Sequence, residues 1–94
     1  MYVIRETFTA KPGMASKLAA KFKDVMSDER NAKVRVLTDA IGTFNTVVIE
    51  TEVKELAEYE KRMKEYAERK DVGERMKGYT DMYQSGKREV YRVV

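Results

Sequence analysis

The stretch from Val34 to Val53, VRVLTDAIGTFNTVVIETEV, most limits what this chain can fold into, because its apolar and polar residues alternate with the period of two of a half-buried strand. A two-residue turn at Gly42-Thr43, inside Ile41-Gly42-Thr43-Phe44, folds it back into an antiparallel pair. That register sets Lys33 opposite Glu52, Arg35 opposite Glu50 and Leu37 opposite Val48 on one face. The other face gathers Val34, Val36, Thr38, Ala40, Asn45, Val47, Ile49 and Thr51, an apolar surface that helices must cover. A slip of one residue would set basic groups against apolar ones and expose the valines, so the pattern specifies its own pairing.

The flanking sequence supplies the covering elements. Tyr2 to Thr9 (YVIRETFT) reads as a strand with one face of Tyr2, Ile4, Glu6 and Phe8 and another of Val3, Arg5 and Thr7; neither is plainly the buried one. Lys11-Pro12-Gly13 stops it, with the proline suited to a first helical turn. Met14, Leu18, Ala19, Phe22, Val25 and Met26 then recur at helical spacing, with Lys17, Lys21 and Asp24 expected to face outward. Ser27 to Asn31 is a polar connection. After Val53, a second helix carries Leu56, Tyr59, Met63 and Tyr66 as a core stripe; Asp71-Val72-Gly73 interrupts it, and Glu74 to Lys77 adds a turn before Gly78. Tyr79 to Gln84 is unusually aromatic for a connection, Ser85-Gly86 turns the chain, and Lys87 to Val94 reads as a last strand.

This order predicts an α+β fold over residues 1–94, one domain: a ferredoxin-like βαββαβ unit with two helices on one face of a four-stranded antiparallel sheet. The far face, with Leu37, Val48, Ile41 and Phe44 among charges, is too apolar for water and too polar for a closed core. A two-fold homodimer pairing the open faces covers it, and helps a chain of 94 residues that alone buries only a modest share of its surface.

Several chemistries are excluded by what is missing. With no cysteine and no histidine, Ser-His-Asp triads, thiol nucleophiles and zinc sites built of those ligands are impossible. No glycine-rich phosphate loop occurs. Glu50 and Glu52 share a strand face, yet each has a basic residue opposite, so ion pairing rather than a metal is expected. Lys11, Lys17, Lys21 and Lys23 make the first helix locally basic, but aromatics are not interleaved and the net charge is only +3, so no nucleic-acid partner is expected. No apolar window approaches the roughly 18 residues of a membrane span, and Met1-Tyr2-Val3-Ile4 enters a strand without a leader, which predicts a cytoplasmic protein. Glu6 stands out: a carboxylate between Ile4 and Phe8 in mid-strand either sits in an apolar cavity as a base or pairs with Arg92 or Arg5 across the sheet. Tyr79, Met82 and Tyr83, outside any regular period, suit a pocket mouth or a dimer interface equally well.

The junction Phe8-Thr9-Ala10-Lys11-Pro12-Gly13-Met14 and the ending Ser85-Gly86-Lys87-Arg88-Glu89-Val90-Tyr91-Arg92 resemble the opening and close of the dimeric α/β-barrel superfamily, particularly its antibiotic-biosynthesis-monooxygenase-like and NIPSNAP-like small proteins. The resemblance implies a dimer whose sheets form a barrel, each subunit keeping a cavity between sheet and helices. It further implies a cofactor-independent oxygenase acting on a quinol-like aromatic substrate, with no cofactor and with Glu6 or a tyrosine moving protons. The expected ligand pocket comprises Ile4, Phe8, Leu37, Thr46, Val48, Tyr79, Tyr83 and Arg92, taking a small apolar or aromatic molecule. Family members that bind haem or use a base through histidine, or carry tryptophan and asparagine in the cavity, have no counterpart here: histidine and tryptophan are absent, and Asn45 falls on the helix-covered face. The reading from another class is a non-catalytic ligand-binding or structural dimer.

Overall fold

A computed structural model describes residues 1–26 and 33–94, so the polar connection expected at Ser27 to Asn31 lies outside the described residues. Among the described residues, β1 (Tyr2–Ala10), β2 (Lys33–Thr38), β3 (Thr46–Val53) and β4 (Tyr83–Arg92) form one antiparallel sheet in spatial order β2-β3-β1-β4. Helix α1 (Ala15–Met26) follows β1, while α2 (Leu56–Glu68) and α3 (Lys70–Arg75) follow β3 and lead through a 3-10 turn at Tyr79–Asp81 into β4. This is the ferredoxin-like α+β arrangement. No helix among the described residues is long and apolar enough to cross a membrane.

The hairpin register is the one the alternation predicts: Lys33 faces Glu52, Arg35 faces Glu50 and Leu37 faces Val48. Its turn is not. The strands stop at Thr38 and Thr46, and a wider loop joins them because side chains supply its hydrogen bonds. Asp39 Oδ1 accepts the Thr46 N–H at 2.9 Å, and Thr46 Oγ1 donates to the Thr43 carbonyl at 2.8 Å. Asn45 leaves the strand for a left-handed conformation (φ 64°) that asparagine tolerates, and its carbonyl accepts the Ala10 N–H at 2.8 Å. Ile41 and Phe44 are left exposed at the tip.

Burial resolves the ambiguous faces of β1. Ile4 and Ala10 are buried and Arg5 is exposed, so Tyr2, Ile4, Glu6, Phe8 and Ala10 look toward the helices. In β4 the sequence expectation fails: Ser85-Gly86 is no turn, and the strand already runs from Tyr83. Gly86 lies opposite Phe8, where an added Cβ would stand 3.1 and 3.2 Å from ring carbons of Phe8. The missing side chain makes room for the ring. Thr9 pairs with Ser85 but Ala10 pairs with Tyr83, so Gln84 is an extra residue that bulges the strand. Arg88, Val90 and Arg92 share the helix side with their partners Glu6, Ile4 and Tyr2, and the bulge brings Tyr83 to that side as well.

The second helix breaks earlier than Asp71-Val72-Gly73. Arg69 is extended (φ −85°, ψ 122°), its guanidinium grips both Asp71 oxygens at 3.0 and 2.6 Å, and α3 then runs through Gly73. The break re-aims the chain so that Val72 is buried. Asp24 faces outward as expected and accepts from Arg75, while Lys21, expected to face outward, is half-buried and donates to the Arg75 carbonyl.

Packing under the helices falls into two groups. Ala10, Leu18, Phe22, Val47 and Ile49 form the larger, joined by Phe8, Tyr79 and Tyr83; Ile4, Val53 and Tyr59 form the smaller, with Tyr2 and Met63 against it. Glu6, between Ile4 and Phe8 on the same strand face, stands where the two groups part.

Candidate functional site

A cleft of about 330 Å³ opens at that parting, with Glu6, Phe8 and Ile49 of the sheet as its floor. Phe22, Val25 and Met26 of α1 make one wall, Met63, Tyr66 and Ala67 of α2 another, and Arg69, Val72, Gly73, Met76 and Tyr79 close across them. Three thioethers and four aromatic rings in this lining give a polarizable, adaptable surface suited to a flat ring. The rings are packed on one another: Phe8 lies 4.9 Å from Phe22 and 5.0 Å from Tyr83, and Tyr79 lies 6.1 Å from Phe22 and 5.9 Å from Tyr83, centroid to centroid. Tyr66 donates to the Met26 sulfur at 3.5 Å, tying α2 to α1.

Glu6 is the carboxylate of this lining, and its partners differ from those expected. The Tyr59 hydroxyl donates to Oε1 at 2.8 Å and Arg88 donates to Oε2 at 3.2 Å. Arg5 is instead held by Glu50 on the opposite face, and the Arg92 guanidinium stacks 5.8 Å above the Tyr2 ring. Arg88 also covers the Tyr59 ring at 5.5 Å, so the three side chains form one closed unit. Burial, reinforced by the bond to Glu6 and its charge, pushes the Tyr59 phenol well above its ordinary value, so it stays a donor rather than becoming a phenolate. For Arg88, burial pulls downward, but the bond to Glu6 and that group's charge prevail and the guanidinium is raised. Each carboxylate oxygen takes one of these donors, which leaves lone-pair positions for a third donor arriving from the cleft.

The remaining residues expected in a pocket are divided by the strand period. Phe8 and Tyr79 line the cleft, and Tyr83 packs behind Phe8. Ile4 is fully buried in the smaller apolar group and Arg92 covers Tyr2. Leu37, Thr46 and Val48 lie on the opposite face of the sheet, because Val36, Val47 and Ile49 take the helix side. That open face is laced by charge: Glu50 accepts from Arg5 at 2.9 Å and from Arg35 at 2.6 Å, and these bonds, Arg35 first, hold its carboxyl below the ordinary value. Among the described residues no group of three or more carboxylates could hold a metal ion.

Sequence reasoning missed Tyr59 and Arg88. A signal existed for the first: a phenol in a core stripe needs a hydrogen-bond partner when buried. Arg88 was hidden by the false turn at Ser85-Gly86, which obscured its place opposite Glu6.

No protein-family model matches the sequence, and no curated protein matches it in sequence. Solved structures do match in fold. A NIPSNAP domain protein from Burkholderia xenovorans superposes with a TM-score of 0.83 at 14% identity, covering 100% of this chain and 95% of that one. A putative antibiotic biosynthesis monooxygenase from Chloroflexus aurantiacus gives 0.76 at 13% identity, covering 99% and 92%, and one from Deinococcus radiodurans gives 0.71 at 13%, covering 100% and 93%. The chain thus has the fold of NIPSNAP-domain and antibiotic-biosynthesis-monooxygenase-like proteins.

Proposed function

We propose that this chain is a cytoplasmic, homodimeric small-molecule-binding protein whose ligand, a small aromatic molecule carrying a hydrogen-bond donor, enters the cleft between sheet and helices. The observation that carries this reading is the placement of Glu6: one carboxylate at the parting of two apolar groups, in a cleft of about 330 Å³ lined by rings and thioethers. Small-molecule sites begin at about 300 Å³ and combine apolar walls with a few fixed polar groups. Phe8, Tyr79 and Glu6 are the expected contacts, with Tyr83 holding Phe8.

The named activity of the monooxygenase-like structures favours a catalytic version of this reading, a cofactor-independent oxygenase acting on a quinol-like substrate that supplies its own electrons. In it the substrate hydroxyl donates to Glu6, which takes its proton, while Tyr59 and Arg88 hold the carboxylate in place. The alternative is binding without turnover. Calorimetric titration with a panel of quinols, run beside oxygen-uptake measurements in air, separates them. Binding with uptake that Glu6→Gln abolishes supports the oxygenase; binding without uptake leaves a ligand carrier; absence of binding across the panel overturns both. Gly73→Leu is the control for location, since open space surrounds that position on the cleft lining and the added side chain should block binding while the fold persists.

Dimerisation through the open sheet face is part of the proposal. The chain exposes 6698 Å², against about 5,600 Å² for a compact monomer of its mass, and Leu37 and Tyr91 stand exposed on that face beside Val48.

A further inference from the structure

The segment from Lys70 to Lys77 crosses the cleft between α1 and α2, and both of its ends are joints. At one end the Arg69 backbone is extended between two helices; at the other Gly78 is left-handed (φ 84°), a conformation in which any other residue is strained. Between the joints, Val72, Gly73 and Met76 roof the cleft, and Val72 is the segment's buried apolar residue. Met76 packs against the larger apolar group, and the polar bonds that fasten the segment to α1 lie near the surface. Arg75 Nε donates to Asp24 Oδ2 at 2.9 Å, another Arg75 nitrogen donates to the Asp24 carbonyl, and Lys21 Nζ donates to the Arg75 carbonyl at 3.3 Å. A second charge contact, Arg75 to Asp71 at 3.6 Å, orients the guanidinium from within α3.

From this juxtaposition we infer that residues 70–77 are a strap that opens as a unit about Arg69 and Gly78, and that the Arg75–Asp24–Lys21 clasp on α1 sets how often the cleft is open. The inference rests on the ligand-binding reading for its purpose, but not for its mechanics. Val72 and the half-buried Met76 make a small apolar anchor, so opening breaks their packing and a polar clasp that, among the described residues, includes three bonds, two of them from a single guanidinium. Because the clasp does not touch the cleft interior, loosening it destabilises the closed strap equally with and without ligand. Entry and release therefore speed up together while affinity holds.

Amide hydrogen exchange on the full chain tests the mechanics. In Arg75→Gln, and separately in Asp24→Asn, exchange at 70–77 should rise about fivefold while β1 and β3 remain as protected as in the wild type. Raising sodium chloride from 20 mM to 1 M should act in the same direction on the wild type, through screening of exposed charge. Stopped-flow mixing with 2-naphthol tests the gating: both rate constants should rise by a common factor at nearly constant Kd. Exchange that is unchanged in both variants, or that rises equally in the strands, overturns the strap. Faster exchange at 70–77 with unaltered naphthol rates overturns its role as a gate. Failure of naphthol to bind the wild type counts against the gate and against the ligand-binding reading together, and the exchange result then still decides whether the strap opens as a unit.

Discussion

Tyr59 carries more of the site's order than its place in a helical stripe suggests. Its hydroxyl bonds a carboxylate in a buried setting, so Tyr59→Phe should cost about 1–2 kcal/mol, measured as a lower urea midpoint at unchanged slope. The pH dependence follows from the direction of its shift. The folded-state value is raised, so the contribution is fully present below the unfolded value of 10.0 and is lost as pH rises beyond it toward the folded value. Wild-type stability should fall through that alkaline window, and Tyr59→Phe should remove this part of the slope. Absorbance titration of tyrosine ionisation checks it directly: one phenol should titrate only as the protein unfolds. Glu50 has the opposite sign. Its folded value is lowered by Arg35 and Arg5, so its contribution is present above its ordinary 4.5 and is lost as pH falls through the folded value; Glu50→Gln should flatten the acid limb of stability measured by urea titration.

At the scale of elements, β1 and β4 meet at a contact between a ring and a missing side chain. Phe8 is held between Phe22 and Tyr83 and cannot yield the few tenths of an ångström that a Cβ at position 86 demands. Gly86→Ala should therefore destabilise by about 1–2 kcal/mol, with Phe8→Leu in the same chain recovering part of the loss, both read from thermal midpoints. How far such elements were legible depended on their period. The hairpin register, the helical stripes at Leu18, Phe22 and Val25 and the order of elements could be read because alternation and 3.6-residue spacing record which face is buried. The loop at 39–45, the break at Arg69 and the bulge at Gln84 could not, since each is decided by a side-chain bond or a long-range pairing: Asp39 bonded to Thr46, Arg69 bonded to Asp71, Ala10 paired with Tyr83. The site was legible only at Glu6, Phe8 and Tyr79; the α1 and α2 residues of the cleft looked like ordinary core, and Tyr59 and Arg88 acquire meaning only when their elements are laid over Glu6.

The whole molecule is a slab, 35 × 35 × 19 Å, with helices on one side of the sheet and a second side that carries Leu37, Val48 and Tyr91 among tied charges. If that side is the dimer interface, as proposed, sedimentation equilibrium should return twice the chain mass, and Leu37→Glu, which sets a carboxylate on the seam, should return it to the monomer while leaving the circular dichroism unchanged. A wild-type monomer would remove the dimer from the proposed function without touching the cleft on the other side. The register of β4 makes the chain uneven in the length changes it tolerates. An insertion within 39–45 lengthens a loop and leaves every side chain on its own side, and loss of Gln84 leaves Tyr83 opposite Ala10 in strict alternation, whereas one residue gained or lost between Gly86 and Arg88 sets Arg88 and the ring end of β4 on opposite sides of the sheet, so that Tyr83 can no longer pack on Phe8 and Tyr79 while Arg88 holds Glu6. Variation in length among descendants of this sequence is thereby steered to the hairpin tip, and the aromatic end of the cleft is kept by a count of residues as much as by their kind.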